Sequence, residues 1–207
     1  MKILLISDIE QPQYWLKNGP EPSDEPEILS DIDLILSAGD LKPVYLSGLA
    51  AAAQRAKKRP LLLYVHGNHD ALYAKYPPKS CVCVDGDLLT VKGLRILGLG
   101  GSVRYRGGPH QYTEEEMSGR ILELGRKLQR SGGADIVLNH APPLGFGDGE
   151  NTVHRGFVCF RTLMDEIRPK YLIHGHVHLQ GDSVREHRYG DTTVINACGS
   201  YILEVQP

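Results

Sequence analysis

Short apolar runs punctuate this chain, and most of them end in a carboxylate, an amide or an imidazole. They lie at Ile3 to Ile6, Leu34 to Leu36, Leu61 to Val65, Ile96 to Leu99, Ile136 to Leu138 and Tyr171 to Ile173. Their length and flanking polar residues mark them as buried strands. Helical candidates separate several of them: Leu46 to Lys58 with its alanine run, Thr113 to Arg130 opening on three glutamates, and Phe157 to Ile167. That alternation demands an α/β layered fold. Between Cys81 and Leu99 the pattern changes to strand, turn, strand, turn, strand, with Asp85-Gly86 and Lys92-Gly93 as hairpin signals. A second set of short strands closes the chain at Ser183 to Arg188, Thr192 to Asn196 and Tyr201 to Val205, with Tyr189-Gly190-Asp191 as a turn.

Size sets the scale of the fold. With 207 residues, 41% of them hydrophobic, the chain can bury a sizeable core, and one domain over 1–207 is the expectation. A net charge of −2 offers no global positive field for nucleic acid, so a small substrate is favoured. The dense basic run Arg55-Ala56-Lys57-Lys58-Arg59 precedes a strand whose far end carries Asn68, which places it well away from any site there. No stretch reaches the roughly 18 apolar residues of a membrane span. The four cysteines follow no disulfide framework, and Cys81 and Cys83 read as one face of a strand. A cytoplasmic location follows as the expectation.

The chemistry sits at the strand ends. Asp8-Ile9-Glu10, Gly39-Asp40, Gly67-Asn68-His69-Asp70, Asn139-His140 and His174-Gly175-His176-Val177-His178 each follow an apolar run. In open α/β sheets the loops beyond the strand C-termini build the ligand site, so these clusters should converge. Any one of these histidines alone would read as a hydrogen-bonded strand residue; together they form a mixed oxygen and nitrogen set suited to Mn, Fe, Zn, Ni or Co. Alternation places His176 and His178 on one side of an extended segment. His174 and His66 lie deeper in their strands and read as residues behind the ligands.

This arrangement resembles the calcineurin-like metallophosphoesterase family, whose pattern is Asp-x-His, Gly-Asp, Gly-Asn-His-Asp/Glu, a later His, and Gly-His-x-His. The resemblance runs from Asp8 to His178, and its specific parts are Gly67-Asn68-His69-Asp70 and Gly175-His176-Val177-His178. It implies a four-layer α/β/β/α sandwich with two mixed sheets. It also implies two metal ions, with Asp8 and His178 on the first, Asn68, His140 and His176 on the second, Asp40 bridging, and His69 in catalysis rather than coordination. One position departs from the pattern, because the first cluster ends in Glu10 where the family has His. Glu10 is taken as a ligand of the first metal, against the alternative of a solvent-facing loop carboxylate; an extra anionic oxygen there favours Mn or Fe over Zn.

The implied reaction is hydrolysis of a phosphate ester, a diester ahead of a monoester. Two cations about 3.5 to 4 Å apart lower the pKa of a shared water to generate hydroxide and clamp the phosphate for in-line attack. His69 would protonate the leaving oxygen, with Asp70 either orienting it or capping a helix. Arg104, Arg106, His154 and Arg155, on irregular loops at 100–111 and 141–155, are candidates for gripping the substrate, against simple surface solvation. Two other readings stay open: a nuclease using the same chemistry, and a binding or scaffold protein in which Glu10 marks lost turnover.

Overall fold

The computed structural model describes residues 1–11 and 27–205; the acidic, proline-containing loop expected from Gln11 to Pro26 lies, beyond Gln11, outside the described residues. The first apolar runs form β1 (Lys2–Ser7), β2 (Leu34–Ser37) and β3 (Leu61–Tyr64). With β4 (Val82–Cys83) these strands run parallel, and β13 (Gly199–Glu204) adds antiparallel to β1, giving a five-stranded sheet of order β13-β1-β2-β3-β4. The second sheet has six strands. Parallel β6 (Leu94–Leu99), β9 (Ile136–Asn139), β10 (Tyr171–His174) and β12 (Thr192–Asn196) form its centre, with β5 (Leu88–Val91) and β11 (Glu186–Tyr189) antiparallel at its edges. A small parallel pair, β7 (Ser102–Val103) and β8 (Gln111–Tyr112), sits in the glycine-rich loop after β6.

The two sheets face each other across a core that includes Leu5, Leu36, Val65, Leu138 and Ile173. Helix α1 (Pro43–Arg55) covers the outer face of the first sheet through Leu46, Leu49 and Ala53 against Leu4, Ile35 and Leu62. Helices α2 (Glu114–Ser131) and α3 (Cys159–Ile167) cover the second, with Leu124, Phe160 and Leu163 on Leu97, Val137 and Leu172. This is the α/β/β/α sandwich. Central strands buried on both faces explain why their sequences read as unbroken apolar runs. Each fully buried Leu or Ile contributes about 1.5–3 kcal/mol, so a charge at Leu138 or Leu36 would separate the sheets.

Local signals set the element boundaries. α2 begins at a reciprocal capping box, Thr113 with Glu116, and stops at left-handed Gly132. Lys92-Gly93 closes the β5–β6 hairpin, with both residues at positive φ. Asp85-Gly86 does not make a hairpin: β4 pairs with β3 in the first sheet, and the chain crosses at 85–87 into the second. α1 starts at Pro43, three residues before the expected Leu46. Proline suits the first helical position, where its missing N–H loses nothing. The closing strands begin at Glu186 rather than Ser183 and at Gly199 rather than Tyr201.

Candidate metal centre

The C-terminal ends of β1, β2, β3, β9 and β10 meet where the two sheets abut, and each delivers a polar side chain to one place. Asp8, Asp40 and His176 all adopt left-handed backbone, with φ of 63°, 56° and 66°. Such conformations cost about 1–3 kcal/mol each for non-glycine residues and persist only where neighbours enforce them. The glycines beside them permit close approach. A Cβ at Gly67 would overlap Asp40 Oδ1, and one at Gly175 would overlap Ser7 Oγ. These loops therefore interlock backbone to side chain.

Asp40, His140 and His176 offer ligand atoms within 4.8 Å of one another. His140 Nε2 stands 3.0 Å from Asn68 Oδ1 and 3.4 Å from Asp40 Oδ2. The ring protons of both histidines are committed elsewhere. His140 Nδ1–H donates to the Ala38 carbonyl at 2.7 Å, and His176 Nε2–H donates to the Val153 carbonyl at 2.6 Å. The ring nitrogens left for the centre are thus Nε2 of His140 and Nδ1 of His176. Asn68 donates its Nδ2 to Tyr105 Oη at 3.2 Å, which fixes its amide so that Oδ1 faces His140. His140 Nε2 therefore faces two oxygen acceptors, Asn68 Oδ1 and Asp40 Oδ2, in a buried place. A proton on Nε2 or a metal ion satisfies that arrangement, and an oxygen and nitrogen set of this kind fits a divalent transition metal.

The charges agree with this geometry. Burial opposes ionisation of Asp40, yet His140 and the His69 backbone hold its carboxyl down to about 2. Burial also disfavours a charged His140, but Asp40 and Asp8 pull its imidazole up to about 9, so a proton can stand where a metal fits. Burial and the neighbouring His140 depress His176 to about 3. Burial raises the Asp8 carboxyl, against the pull of His140 and of the 2.5 Å bond from Ser7.

Beside this cluster, Asp8 accepts the His176 N–H at 3.0 Å, and His178 Nε2 lies 3.9 Å from Asp8 Oδ1. His69 presents an exposed ring whose Nε2 is 4.0 Å from Asp40 Oδ2, while its backbone N–H donates to Asp40 Oδ1 at 2.8 Å. Glu10 is engaged by Lys42: Oε1 accepts from the backbone N of Lys42 at 3.2 Å, and Oε2 pairs with Lys42 Nζ at 3.4 Å. Asp70 meets backbone rather than the His69 ring. Its Oδ2 accepts from Gly67 N at 2.7 Å and Asp40 N at 2.9 Å, tying the β2 and β3 loops together, and burial lifts its carboxyl to about 7.

Of the loop residues, His154 stacks obliquely on His176 with centroids 5.4 Å apart. Arg104 is engaged by Glu116 at 2.7 Å, Arg106 lies over the Tyr105 ring, and Arg155 is exposed. His174 is buried with Nε2 unpartnered, and His66 donates Nδ1–H to Asp85 at 2.7 Å. Sequence reasoning missed Tyr105, Ser7 and the Val153 carbonyl. Tyr105 stood between two arginines in a glycine-rich loop, but nothing in that pattern shows which side chain folds back onto Asn68.

A family model described as calcineurin-like phosphoesterase matches residues 1–180. The chain belongs to the calcineurin-like phosphoesterase family. Its fold is also that of TT1561 of Thermus thermophilus, whose crystal structure superposes with a TM-score of 0.64 at 17% identity, over 96% of this chain and 89% of that one. A curated relative, UPF0046 protein T07D4.2 of Caenorhabditis elegans, is 38% identical over 68 residues, which is 32% of this chain and 16% of that protein. In this family setting, the lone pairs of Asp40, Asn68, His140 and His176 form the candidate metal centre. No helix among the described residues is long and apolar enough to cross a membrane.

Proposed function

We propose that this chain is a metal-dependent phosphodiesterase acting on a small substrate through a pair of metal ions. Asn68, His140 and His176 would hold one ion, Asp8 and His178 the other, and Asp40 both. Glu10 joins the first position only on releasing Lys42, and its added charge favours Mn or Fe there, with Zn, Ni or Co compatible with the rest. The observation that carries the reading is the convergence of ligand atoms of Asp40, His140 and His176 within 4.8 Å of one another, with Asn68 Oδ1 3.0 Å from His140 Nε2 and both side chains held by bonds from behind.

When bound, the ions supply positive charge to the phosphate oxygens and make a water acidic enough to attack at neutral pH. His69 is the proton donor to the leaving oxygen: its ring is exposed beside Asp40 and is anchored only through its backbone. Tyr105 Oη accepts from Asn68 and keeps its own O–H for a phosphate oxygen. Asp70 positions Asp40 and Gly67. His154 and Arg155 lie on the loop beside His176 and would contact the substrate, whereas Arg104 would first have to leave Glu116. That leaves few spare cations for a dianionic monoester, which favours a diester. In the basic run, Lys58 bridges Asp31 and Asp33, which weakens the nuclease reading. Four free thiols are in keeping with a cytoplasmic, reducing location.

The test is hydrolysis of bis(p-nitrophenyl) phosphate by protein loaded in turn with Mn, Fe, Ni and Co. Activity should appear, and Asp40→Asn and His140→Ala should abolish it; silence with every metal would sink the assignment. His69→Ala should slow alkyl esters far more than nitrophenyl esters, whose leaving groups scarcely need a proton.

A further inference from the structure

Two recesses share walls with the centre, and they differ in chemistry. The first, of about 140 Å³, lies among the loops of the first sheet and has Asp40 and His69 at its inner end. Its sides are Leu41, Lys42, Pro43, Asp70, Leu72 and Tyr73; the Lys42 ammonium is paired with Glu10 at 3.4 Å and Asp70 Oδ2 is taken by the N–H groups of Gly67 and Asp40, so the surface turned to the recess is mainly apolar. Tyr73 donates its hydroxyl to the Leu41 carbonyl at 2.5 Å, so it has no proton left to donate to a ligand. The second, of about 440 Å³, lies among the loops of the second sheet, with His178 and His154 toward the centre and Asn151, Gln180 and Ser183 beyond. Asn151 gives its Oδ1 to the His154 backbone N–H at 2.9 Å, which leaves its amide NH₂ for a ligand. Among the described residues the Gln180 side chain makes no hydrogen bond, and no carboxylate lines this recess.

The geometry points to an unsymmetrical phosphodiester as substrate: a neutral, hydrogen-bonding nucleoside or polyol retained beside His178 and His154, and a compact apolar alcohol leaving through the Leu41–Leu72 recess. This rests on the phosphodiesterase reading above and adds the direction of cleavage. His69 lines the apolar recess, so the oxygen that departs there is the one within reach of its proton. The volumes support the assignment. The smaller recess accommodates a ring or branched alkyl group of a few heavy atoms, and the larger one a nucleoside. A polar alcohol in the smaller recess would lose its water without gaining partners from Leu41, Pro43 or Leu72. In the reaction one water is consumed: its oxygen bonds to phosphorus and gives up a proton. The bond from phosphorus to the apolar alkoxide breaks, the electron pair leaves with that oxygen, and His69 protonates it. A nucleoside or polyol monophosphate and an apolar alcohol are released.

The test uses the benzyl ester of adenosine 5′-monophosphate, whose two alcohols are of similar acidity, so that the recesses and not the leaving groups decide which bond breaks. Metal-loaded protein should give adenosine monophosphate and benzyl alcohol over adenosine and benzyl phosphate by about tenfold or more. Leu72→Glu, a substitution at an exposed position, should bring that ratio toward unity, and Leu72→Ala should lower it about threefold. Asn151→Ala should raise KM without altering the ratio. The opposite split, an equal mixture, or no turnover of this ester by protein that hydrolyses bis(p-nitrophenyl) phosphate overturns the recess assignment alone. Silence on both esters overturns the phosphodiesterase reading with it.

Discussion

Asp85 should be the most destabilising single carboxylate to remove outside the metal centre. Its side chain is 6% exposed and ionised, because burial, which would raise its pKa, is outweighed by His66 and Arg120, which hold it far below the ordinary carboxylate range. Oδ1 accepts from Arg120 Nη2 and, at 2.8 Å, from Gly100 N; Oδ2 accepts from His66 Nδ1–H at 2.7 Å. One residue at the crossing between sheets thus joins the β3 loop, the β6 loop and α2. Asp85→Ala strands a guanidinium whose side chain is 19% exposed, together with three N–H donors, those of Gly100 N, His66 N and His66 Nδ1. Breaking a buried pair from one side costs about 3–5 kcal/mol. Arg120 keeps its 2.8 Å bond to the Gly100 carbonyl and its place over the Tyr112 ring, so the lower end, about 3 kcal/mol, applies. For a chain of this size that is a fall in Tm of roughly 6–12 °C. Urea unfolding of chelator-treated wild type, Asp85→Ala, Arg120→Met and the double variant measures it. The double variant should recover about half of the loss, because no charge is then left unpaired. Since the folded-state pKa lies below the unfolded value of 3.8, the carboxylate's stabilisation is present above that pH and fades as pH falls below it. The gap between wild type and Asp85→Ala should therefore be constant from pH 8 to pH 5 and narrow near pH 3. A loss under about 1 kcal/mol, or a double variant as unstable as the single one, would refute the reasoning.

Tyr105→Phe removes the acceptor that orients the Asn68 amide, and Mn²⁺ affinity by calorimetry should fall about 10- to 100-fold while metal-free Tm stays put. Glu10→His should shift metal content away from Mn and Fe toward Zn, and unchanged content would remove Glu10 from the first position. Gly175→Ala drives a methyl into Ser7 Oγ and Asp8, so both stability and metal uptake should drop together; a fully folded, metal-replete variant would contradict the packing. Metal at about a hundred times its Kd should stabilise the protein by about 2.7 kcal/mol, seen as a Tm rise of roughly 5–11 °C that a chelator reverses.

The layers of this fold were legible because period and length carry them: doubly buried strands are unbroken apolar runs, and α2 carries its own capping box. What escaped was non-local. Asp85-Gly86 has the local chemistry of a hairpin, but β4 finds its partner in β3, some twenty residues earlier, and no local signal encodes that choice. α1 starts three residues before its alanine-rich run suggests, because Pro43 fits the first turn, where its missing N–H loses nothing. At the site, strand ends told which residues could converge, and Asp40, Asn68, His140 and His176 do. They told nothing of where a side chain turns after its loop, so Glu10 on Lys42, Asp70 on two backbone amides and Arg104 on Glu116 became visible only in three dimensions.

That distinction bears on why the centre has its particular backbone. Ordinary extended or helical residues after β1, β2 and β10 would carry Asp8, Asp40 and His176 past the junction of the sheets; left-handed turns fold them back onto it. The cost, about 1–3 kcal/mol at each, is offset by bonds such as those from Asp40 N to Asp70 and from His176 N to Asp8. Without a metal, Asn68 Oδ1 stands 3.0 Å from His140 Nε2, and Asp40 and Asp8 hold a proton on His140 well above its usual range. A divalent ion among these groups would displace that proton and tie together loops from both sheets, which would couple metal binding to the stability of the whole sandwich rather than to one loop of it.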